Sequence, residues 1–253
     1  QTGSRGKRGG RRPQGVPGDR AFLRTKVAGR DRRTARRQFD ESLERLQTDH
    51  VDLLQFHEII HDDDPDRVFA AGGAVEAAVE ARDEGLARFI GFTGHKSPAI
   101  HEHMLDLADD LGFRFDTVQM PLNVLDTHYD SFERRVLPRV VEMEMGVLGM
   151  KPMGAGSILK SDAVSPIECL HYAMSLPTSV VITGCESMDR LEQAIIAGRS
   201  FRALNEEEMG RLRARTAQVA RGGRLEGYKT TTEHDSTTMH PQWLGEKPEP
   251  RTR

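Results

Sequence analysis

The 253-residue chain is poor in cysteine, tyrosine and tryptophan, and it has no long apolar run. Its two cysteines, Cys169 and Cys185, are isolated. No pair stands at metal-ligand spacing and there is no disulfide framework, which suits a reducing compartment or simple indifference to redox state. No stretch approaches the roughly 18 consecutive apolar residues of a membrane span, and the charged N-terminus lacks the apolar stretch of a secretory signal. The formal net charge of −3 is small for this length, so neither nucleic acid nor an anionic membrane is expected as a partner. These absences leave a cytoplasmic location as the expectation.

What is present is a chain with 37% hydrophobic residues, long enough for one large core. Residues 1–20 stand apart, because Arg5, Lys7, Arg8, Arg11, Arg12 and Arg20 alternate with glycines and prolines and face one acid, Asp19. This segment reads as a disordered basic tail, with a nucleic-acid-binding arm as the alternative. From Ala21 onward, short apolar or β-branched runs alternate with longer segments of helical period. Strands are expected at 21–27, 51–56, 87–92, 117–120, 146–150 and 179–183, and helices at 33–46, 66–84, 99–111, 129–144, 166–175, 188–197 and 205–220. Ser165, Ser187 and Asn205 carry N-cap signals. Strict alternation of strand and helix predicts a parallel sheet with right-handed crossovers, over one domain at residues 21–221. Residues 222–253 are polar and proline-containing and read as an extended tail carrying the single tryptophan, Trp243.

Two strand-like runs end in ionisable groups: Lys26 closes Ala21-Phe22-Leu23-Arg24-Thr25-Lys26-Val27, and His57 follows Val51 to Phe56. In a (β/α) barrel the C-terminal strand ends share one face, where catalytic groups collect. His57-Glu58-Ile59-Ile60-His61 matches the H-E-x-x-H zinc-protease string. That chemistry needs both histidines one turn apart on a helix, whereas here a strand precedes the string and Asp62-Asp63-Asp64-Pro65 interrupts any helix after it. His101 and His103 are two residues apart on a helix, hence on different faces, and are not expected to share a metal. The glycine-containing run Met150 to Ser157 and the turn Thr183-Gly184-Cys185-Glu186-Ser187 each follow a strand. Together they are candidates to receive phosphate groups after the last two strands.

These blocks together resemble the aldo-keto reductases, NAD(P)H-dependent carbonyl reductases built on a (β/α)8 TIM barrel. The resemblance rests on Phe22 to Val27, Glu41 to His57, Ile90-Gly91-Phe92-Thr93-Gly94-His95, Val118 to Asn123, Gly149 to Gly154 and Val181-Ile182-Thr183-Gly184, in family order over residues 21–220. It implies that a small carbonyl substrate is reduced to an alcohol by hydride transfer. By motif, Lys26 matches the lysine that lowers the pKa of a catalytic tyrosine, and His57 the histidine that orients the carbonyl. The resemblance further implies that Gln119 meets the nicotinamide carboxamide, with Thr93, Gly94 and His95 beside it. Lys151 falls where relatives stack an aromatic ring, and Pro152, Met153, Gly154 and Gly156 follow the pyrophosphate. Thr183, Gly184, Arg190 and Gln193 match the adenosine end, where Arg190 favours NADP(H) slightly over NAD(H) and Glu186 opposes a 2′-phosphate. Trp243 is expected to line the substrate pocket.

One departure is large. The family's catalytic aspartate and tyrosine come from a strand that precedes the lysine strand, and this chain offers no counterpart to either; its tyrosines are Tyr129, Tyr172 and Tyr228. Six β/α units are therefore expected in place of eight, a barrel truncated at its N-terminal side, with impaired turnover. The alternatives are a catalytically silent nucleotide-binding or regulatory protein on the same fold, and a metal hydrolase built on His57 and His61. The sequence leaves the oligomeric state open.

Overall fold

The computed structural model describes residues 21–246. They form two compact units, one of residues 21–94, 103–116 and 235–246, the other of residues 95–102 and 117–234. The residues of the basic N-terminal stretch lie outside the described residues.

The first unit contains β1 (Arg24–Val27), α1 (Arg32–Leu46), β2 (Val51–Phe56), α2 (Asp64–Phe69), α3 (Ala74–Asp83), β3 (Ala87–Thr93) and most of α4 (Pro98–Asp110). β1 and β2 run parallel with Lys26 opposite Gln55 and Val27 opposite Phe56. β3 runs parallel to β2, with Leu54 opposite Ile90 and Phe56 opposite Phe92. Side chains on both faces of β2 are buried, as a strand covered on two sides requires. Phe56 and Phe92 meet Phe115 edge-to-face at 6.3 and 4.8 Å, and Phe69 and Phe113 complete this aromatic core. α1 begins where the Asp31 carboxylate accepts the Thr34 N–H and ends at Gln47 in the left-handed region, so both ends are capped locally.

The second unit contains β4 (Thr117–Pro121), α5 (Phe132–Arg135), α6 (Leu137–Glu142), β5 (Gly146–Met150), α7 (Pro166–Ser175), β6 (Val180–Val181), α8 (Met188–Arg199) and α9 (Glu206–Thr216). β5 pairs in parallel with β4, Gln119 opposite Leu148, and with β6, Gly149 opposite Val181. Val124, Ile158, Cys169, Tyr172, Met209 and Leu212 form its core. Burial pushes the Cys169 thiol up to about 12, so it packs as an unreactive apolar group. Reciprocal caps start α7 (Ser165 with Glu168) and α9 (Asn205 with Glu208), and Ser187 caps α8.

Several expected elements are divided or shortened. The single helix expected at 66–84 is two, α2 and α3, separated by Gly72 at φ +70 and by Gly73, whose Cβ would lie 2.4 Å from the Val68 carbonyl oxygen. No other residue type enters that turn without displacing backbone. The helix expected at 129–144 is also two, α5 and α6, with Pro138 in the first turn of the second. The strands expected at 21–27 and 179–183 shrink to Arg24–Val27 and Val180–Val181. The tail is not extended: up to Glu246 it makes single helical turns at Gly227–Thr230, Ser236–Met239 and Pro241–Leu244, and it buries Tyr228, Lys229, Thr237 and Leu244.

Candidate active site

Lys26, near the end of β1, and His57, immediately after β2, line one groove of about 530 Å³ in the first unit. Parallel register brings them together, since the His57 N–H donates to the Val27 carbonyl oxygen at 2.8 Å. Trp243 and Ser236 of the C-terminal segment line the same groove. Gln38 fixes that segment against the strand end: its Oε1 accepts the Ala28 and Gly29 N–H groups at 2.8 Å, and its Nε2 donates to the Trp243 carbonyl at 2.8 Å. The walls are rich in cations, with Arg24, Lys26, Arg37 and Arg45 facing the single acid Glu41, which already holds Arg37 and Arg45 at 3.2 and 3.3 Å. Burial pulls the Arg24 guanidinium below its ordinary range. Such a wall favours electron-rich oxygen on an entering molecule.

A buried ion pair sets the backbone beneath this groove. Arg30 is fully buried and holds Asp64 through two bonds, Nε to Oδ1 at 2.7 Å and Nη2 to Oδ2 at 3.0 Å. Its remaining N–H groups donate to the carbonyls of Ala28, His57 and Glu58 at 2.9, 3.0 and 2.6 Å. One guanidinium thereby joins the loops after β1 and β2, the two loops next to Lys26 and His57. Burial raises the Asp64 carboxyl, but the Arg30 charge and the N–H groups of His61 and Ile60 outweigh it and hold the group below the usual carboxylate range.

The H-E-x-x-H string is not a helix: residues 57–60 are irregular, and Glu58 sits in the left-handed region at φ +50. Glu58 accepts the Thr237 N–H at 2.8 Å, and His61 Nε2 lies 3.4 Å from the Thr237 hydroxyl. These residues anchor the C-terminal segment. His101 is buried edge-on to Phe132, and burial lowers it to about 4, so it stays neutral near pH 7. His103 pairs instead with Asp66 at 3.1 Å.

The residues matched to cofactor binding fall in several places. Thr93 and Gly94 close β3 in the first unit, and the Thr93 carbonyl accepts the Ile59 N–H at 2.8 Å. In the second unit, Gln119 is buried on β4 and its amide nitrogen lies 3.1 Å from the Met150 sulfur. His95 and Lys151 both face Tyr228, the His95 ring at 6.4 Å between centroids and the Lys151 ammonium 5.6 Å from the ring centre. The turn Pro152, Met153, Gly154 and Gly156 has both glycines at positive φ, and a Cβ on Gly156 would meet nothing within 4 Å. Thr183 carries a buried hydroxyl without a hydrogen-bond partner, next to the exposed Gly184. Arg190 and Gln193 bond to each other at 3.3 Å on the exposed side of α8.

A cluster that residue patterns did not reveal lies beside His95 and Lys151. Tyr228 donates to Glu226 at 2.5 Å and accepts from the Asn123 amide at 2.8 Å, while Lys229 joins Asp126 at 2.7 Å and Glu226 at 3.1 Å. Asn123 belongs to the block after β4 that carries part of the resemblance, and this was its one signal in the sequence.

The family model described as "Aldo/keto reductase family" matches residues 8–168, more than half of the chain. The chain belongs to the aldo/keto reductase family. The match begins inside the basic stretch that composition alone reads as a tail. Among curated proteins, an L-galactose dehydrogenase from Arabidopsis thaliana is 33% identical over 124 residues, covering 48% of this chain and 35% of that protein. The chain thus spans about a third of the length of the curated relative it matches. Among solved structures, aldo-keto reductase AKR11C1 from Bacillus halodurans in its holo form aligns with a TM-score of 0.67 at 20% identity, covering 87% of this chain and 80% of that one. The thermostable aldo-keto reductase Tm1743, solved with the inhibitor epalrestat, gives 0.63 at 20% identity, covering 83% and 77%. The fold is therefore the α/β barrel type that the resemblance implies. Six parallel strands are present among the described residues, against the eight of a full barrel. Among the described residues no helix is long and apolar enough to cross a membrane.

Proposed function

We propose that this chain belongs to a cytoplasmic NAD(P)H-binding oxidoreductase for small aldehydes or ketones; the residues given hold no counterpart of the tetrad aspartate and tyrosine, and turnover by the isolated chain is expected to be impaired. The observation that carries the reading is the convergence of Lys26 and His57 at adjacent strand ends, lining one groove.

The residues of the second unit fit a dinucleotide. The Thr183 hydroxyl is buried and unsatisfied, a condition that a polar ligand atom would relieve. The open glycine turn at 154–156 lets backbone approach a phosphate, and Arg190 stands in the first turn of α8. In that unit, Gln119 and His95 are the residues for the nicotinamide end, and Thr183, Gly184, Arg190 and Gln193 those for the adenosine end. When bound, the reduced nicotinamide supplies hydride. Lys26 and His57 donate hydrogen bonds to the substrate oxygen and stabilise charge developing there. Trp243 covers the apolar part of the substrate and excludes water. Arg190 favours NADP(H) only slightly over NAD(H), because Glu186 opposes a 2′-phosphate.

A second reading, a nucleotide-binding protein without catalysis, is favoured by the state of the phenols. Tyr129, Tyr172 and Tyr228 all belong to the second unit, and burial pushes both Tyr172 and Tyr228 above the ordinary phenol range. A phenol in that state is a poor proton donor.

Binding and turnover measured together separate the readings. NADPH emission is expected to change saturably on adding the chain, with weak steady-state turnover of a simple aldehyde under the first reading and none under the second. Turnover abolished by Lys26→Met and by His57→Leu would remove the impaired-catalysis part and confirm the groove as the reaction site. No binding of NADPH or NADH would overturn the oxidoreductase reading.

A further inference from the structure

Within the second unit, the helical turn Gly227–Thr230 sets a side chain that no motif announced against two residues matched to the cofactor. Tyr228 is fully buried, and its ring faces the Lys151 ammonium at 5.6 Å and the His95 ring at 6.4 Å between centroids. It cannot turn away. The phenol donates to Glu226 at 2.5 Å and accepts from the Asn123 amide at 2.8 Å. The adjacent Lys229 is held as firmly, donating to Asp126 and to the Tyr129 carbonyl at 2.7 and 2.8 Å. Just after the turn, the Thr231 carbonyl accepts from the Lys96 ammonium. Even the approach of the chain is constrained, because Gly223 stands at φ +67 where a Cβ would lie 2.4 Å from Tyr129 Cδ1. The Tyr228 ring is therefore a fixed surface.

Lys151 is the opposite kind of residue. It follows β5, is half-buried and has its backbone in the left-handed region at φ +58. A lysine stem has many rotamers, and ordering them costs entropy that a binding site must otherwise supply. A ring whose centre lies within about 6 Å of an ammonium attracts it, which selects among those rotamers before any ligand arrives. With its charge drawn onto Tyr228, Lys151 is left with an ordered apolar stem. Its neighbour Met150 is the residue whose sulfur lies 3.1 Å from the Gln119 amide nitrogen, so the stem stands next to a second residue matched to the nicotinamide.

We propose that Tyr228 is a positioning residue for the nicotinamide end of the cofactor: by holding the Lys151 ammonium, it presets the Lys151 stem as a wall for the nicotinamide. The proposal rests on the reading of this unit as a dinucleotide site. Ordering a side chain in its bound conformation raises affinity without a direct contact.

Two ligands test this on the full chain: NADPH, followed by nicotinamide emission, and ADP-ribose 2′-phosphate, the same molecule without its nicotinamide, followed by calorimetry. NADH and ADP-ribose replace them if the chain prefers NADH. Tyr228→Leu is expected to weaken NADPH about tenfold and to leave ADP-ribose 2′-phosphate within about twofold, whereas Tyr228→Phe keeps the ring and stays within about threefold for both. Lys151→Met, outside the core and so independent of whether Tyr228→Leu folds, should weaken NADPH alone by about as much, and the two changes combined should cost less than their sum. Circular dichroism confirms that each variant is folded. Equal weakening of both ligands in Tyr228→Leu would make the residue merely structural and overturn the proposal. So would additive effects, or a Lys151→Met chain that binds NADPH as the parent does. A parent that binds neither NADPH nor NADH removes the dinucleotide reading and the proposal with it, while unchanged NADPH binding in Tyr228→Leu removes the proposal and leaves that reading standing.

Discussion

Both units bury charge, but they balance it differently. In the first, Arg30 meets Asp64 one to one, and every remaining N–H of the guanidinium finds a backbone carbonyl. In the second, a single ammonium, Lys229, lies between Asp126 and Glu226, with the Tyr228 phenol bonded to Glu226 and one Glu226 oxygen unsatisfied. The consequences run in opposite directions. Asp64 is held below the usual carboxylate range, whereas Asp126 and Glu226 are pushed up, burial being the largest cause and Lys229 only partly offsetting it. A balanced pair makes a fixed clamp beneath the Lys26 and His57 groove. An acid-rich cluster makes a joint that takes up a proton more readily.

Removing the basic partner from each site tests that contrast, and the largest effect belongs to the clamp. Arg30→Met leaves Asp64 charged and buried, and it releases the carbonyls after β1 and β2. It should cost about 3–5 kcal/mol in urea unfolding, much of it recovered in Arg30→Met/Asp64→Leu, where no charge remains buried. Lys229→Met should cost less, about 2–3 kcal/mol, because Asp126 and Glu226 already sit high and one of them neutralises instead of remaining an unpaired charge. Equal losses at the two sites would erase the distinction.

The next effect is a pH dependence peculiar to the second unit. Burial, opposed by a hydrogen bond from Tyr172 and reinforced by the charge of Asp126, raises the Glu133 carboxyl to about 7. A carboxyl whose folded pKa lies above its unfolded value binds protons more tightly when folded, so its contribution is fully present below the unfolded pKa near 4.5 and is lost as pH rises through about 7. Stability should therefore decline between those values by an amount on the order of 2–3 kcal/mol. Glu133→Gln keeps an acceptor for the Tyr172 hydroxyl, bonded at 2.9 Å, and should flatten that slope. Asp64 acts with the opposite sign: its contribution is present above the ordinary carboxylate range and lost as pH falls below it. Urea midpoints measured from mildly acidic to neutral pH separate the two, and an unchanged slope in Glu133→Gln would remove Glu133 as its source.

Much of the first unit was legible in the sequence because its information is local. Alternating runs located its three strands, as they did the three of the second unit, and the position of Lys26 and His57 at adjacent strand ends followed from the strands alone. The failures have two physical causes. Turn chemistry overrode helical period at Gly72-Gly73 and at Pro138, where close backbone approach and a missing N–H interrupt otherwise continuous patterns. Contacts between residues distant in the chain left no periodic trace: Lys229 reaches Asp126, Tyr228 reaches Asn123 and Thr237 reaches Glu58. A polar tail with no amphipathic period looks extended until those partners are known. The cofactor residues show the same limit, because Lys151 and His95 were assigned by resemblance, and their shared neighbour Tyr228 lies in a stretch with no motif.

The smallest expected effect tests whether buried hydrogen bonds or a surface ion pair hold the C-terminal segment over the groove. Arg33 and Glu246 form an ion pair at 2.7 Å, with both side chains more than three-quarters exposed. Such pairs are screened and entropically costly, so Arg33→Ala should change stability by no more than about 0.5 kcal/mol and leave Trp243 emission unaltered. Buried ties hold the same segment: Gln38 to the Trp243 carbonyl, Arg30 N–H to the Leu244 carbonyl, and Glu58 to the Thr237 N–H. Gln38→Ala removes one of these together with the acceptor for the Ala28 and Gly29 N–H groups. It should shift Trp243 emission to the red and raise the acrylamide quenching rate where Arg33→Ala does not. If the two variants behave alike, surface charge contributes as much as the buried amide to keeping the tryptophan in place, and the groove wall is looser than the bonds beneath it imply.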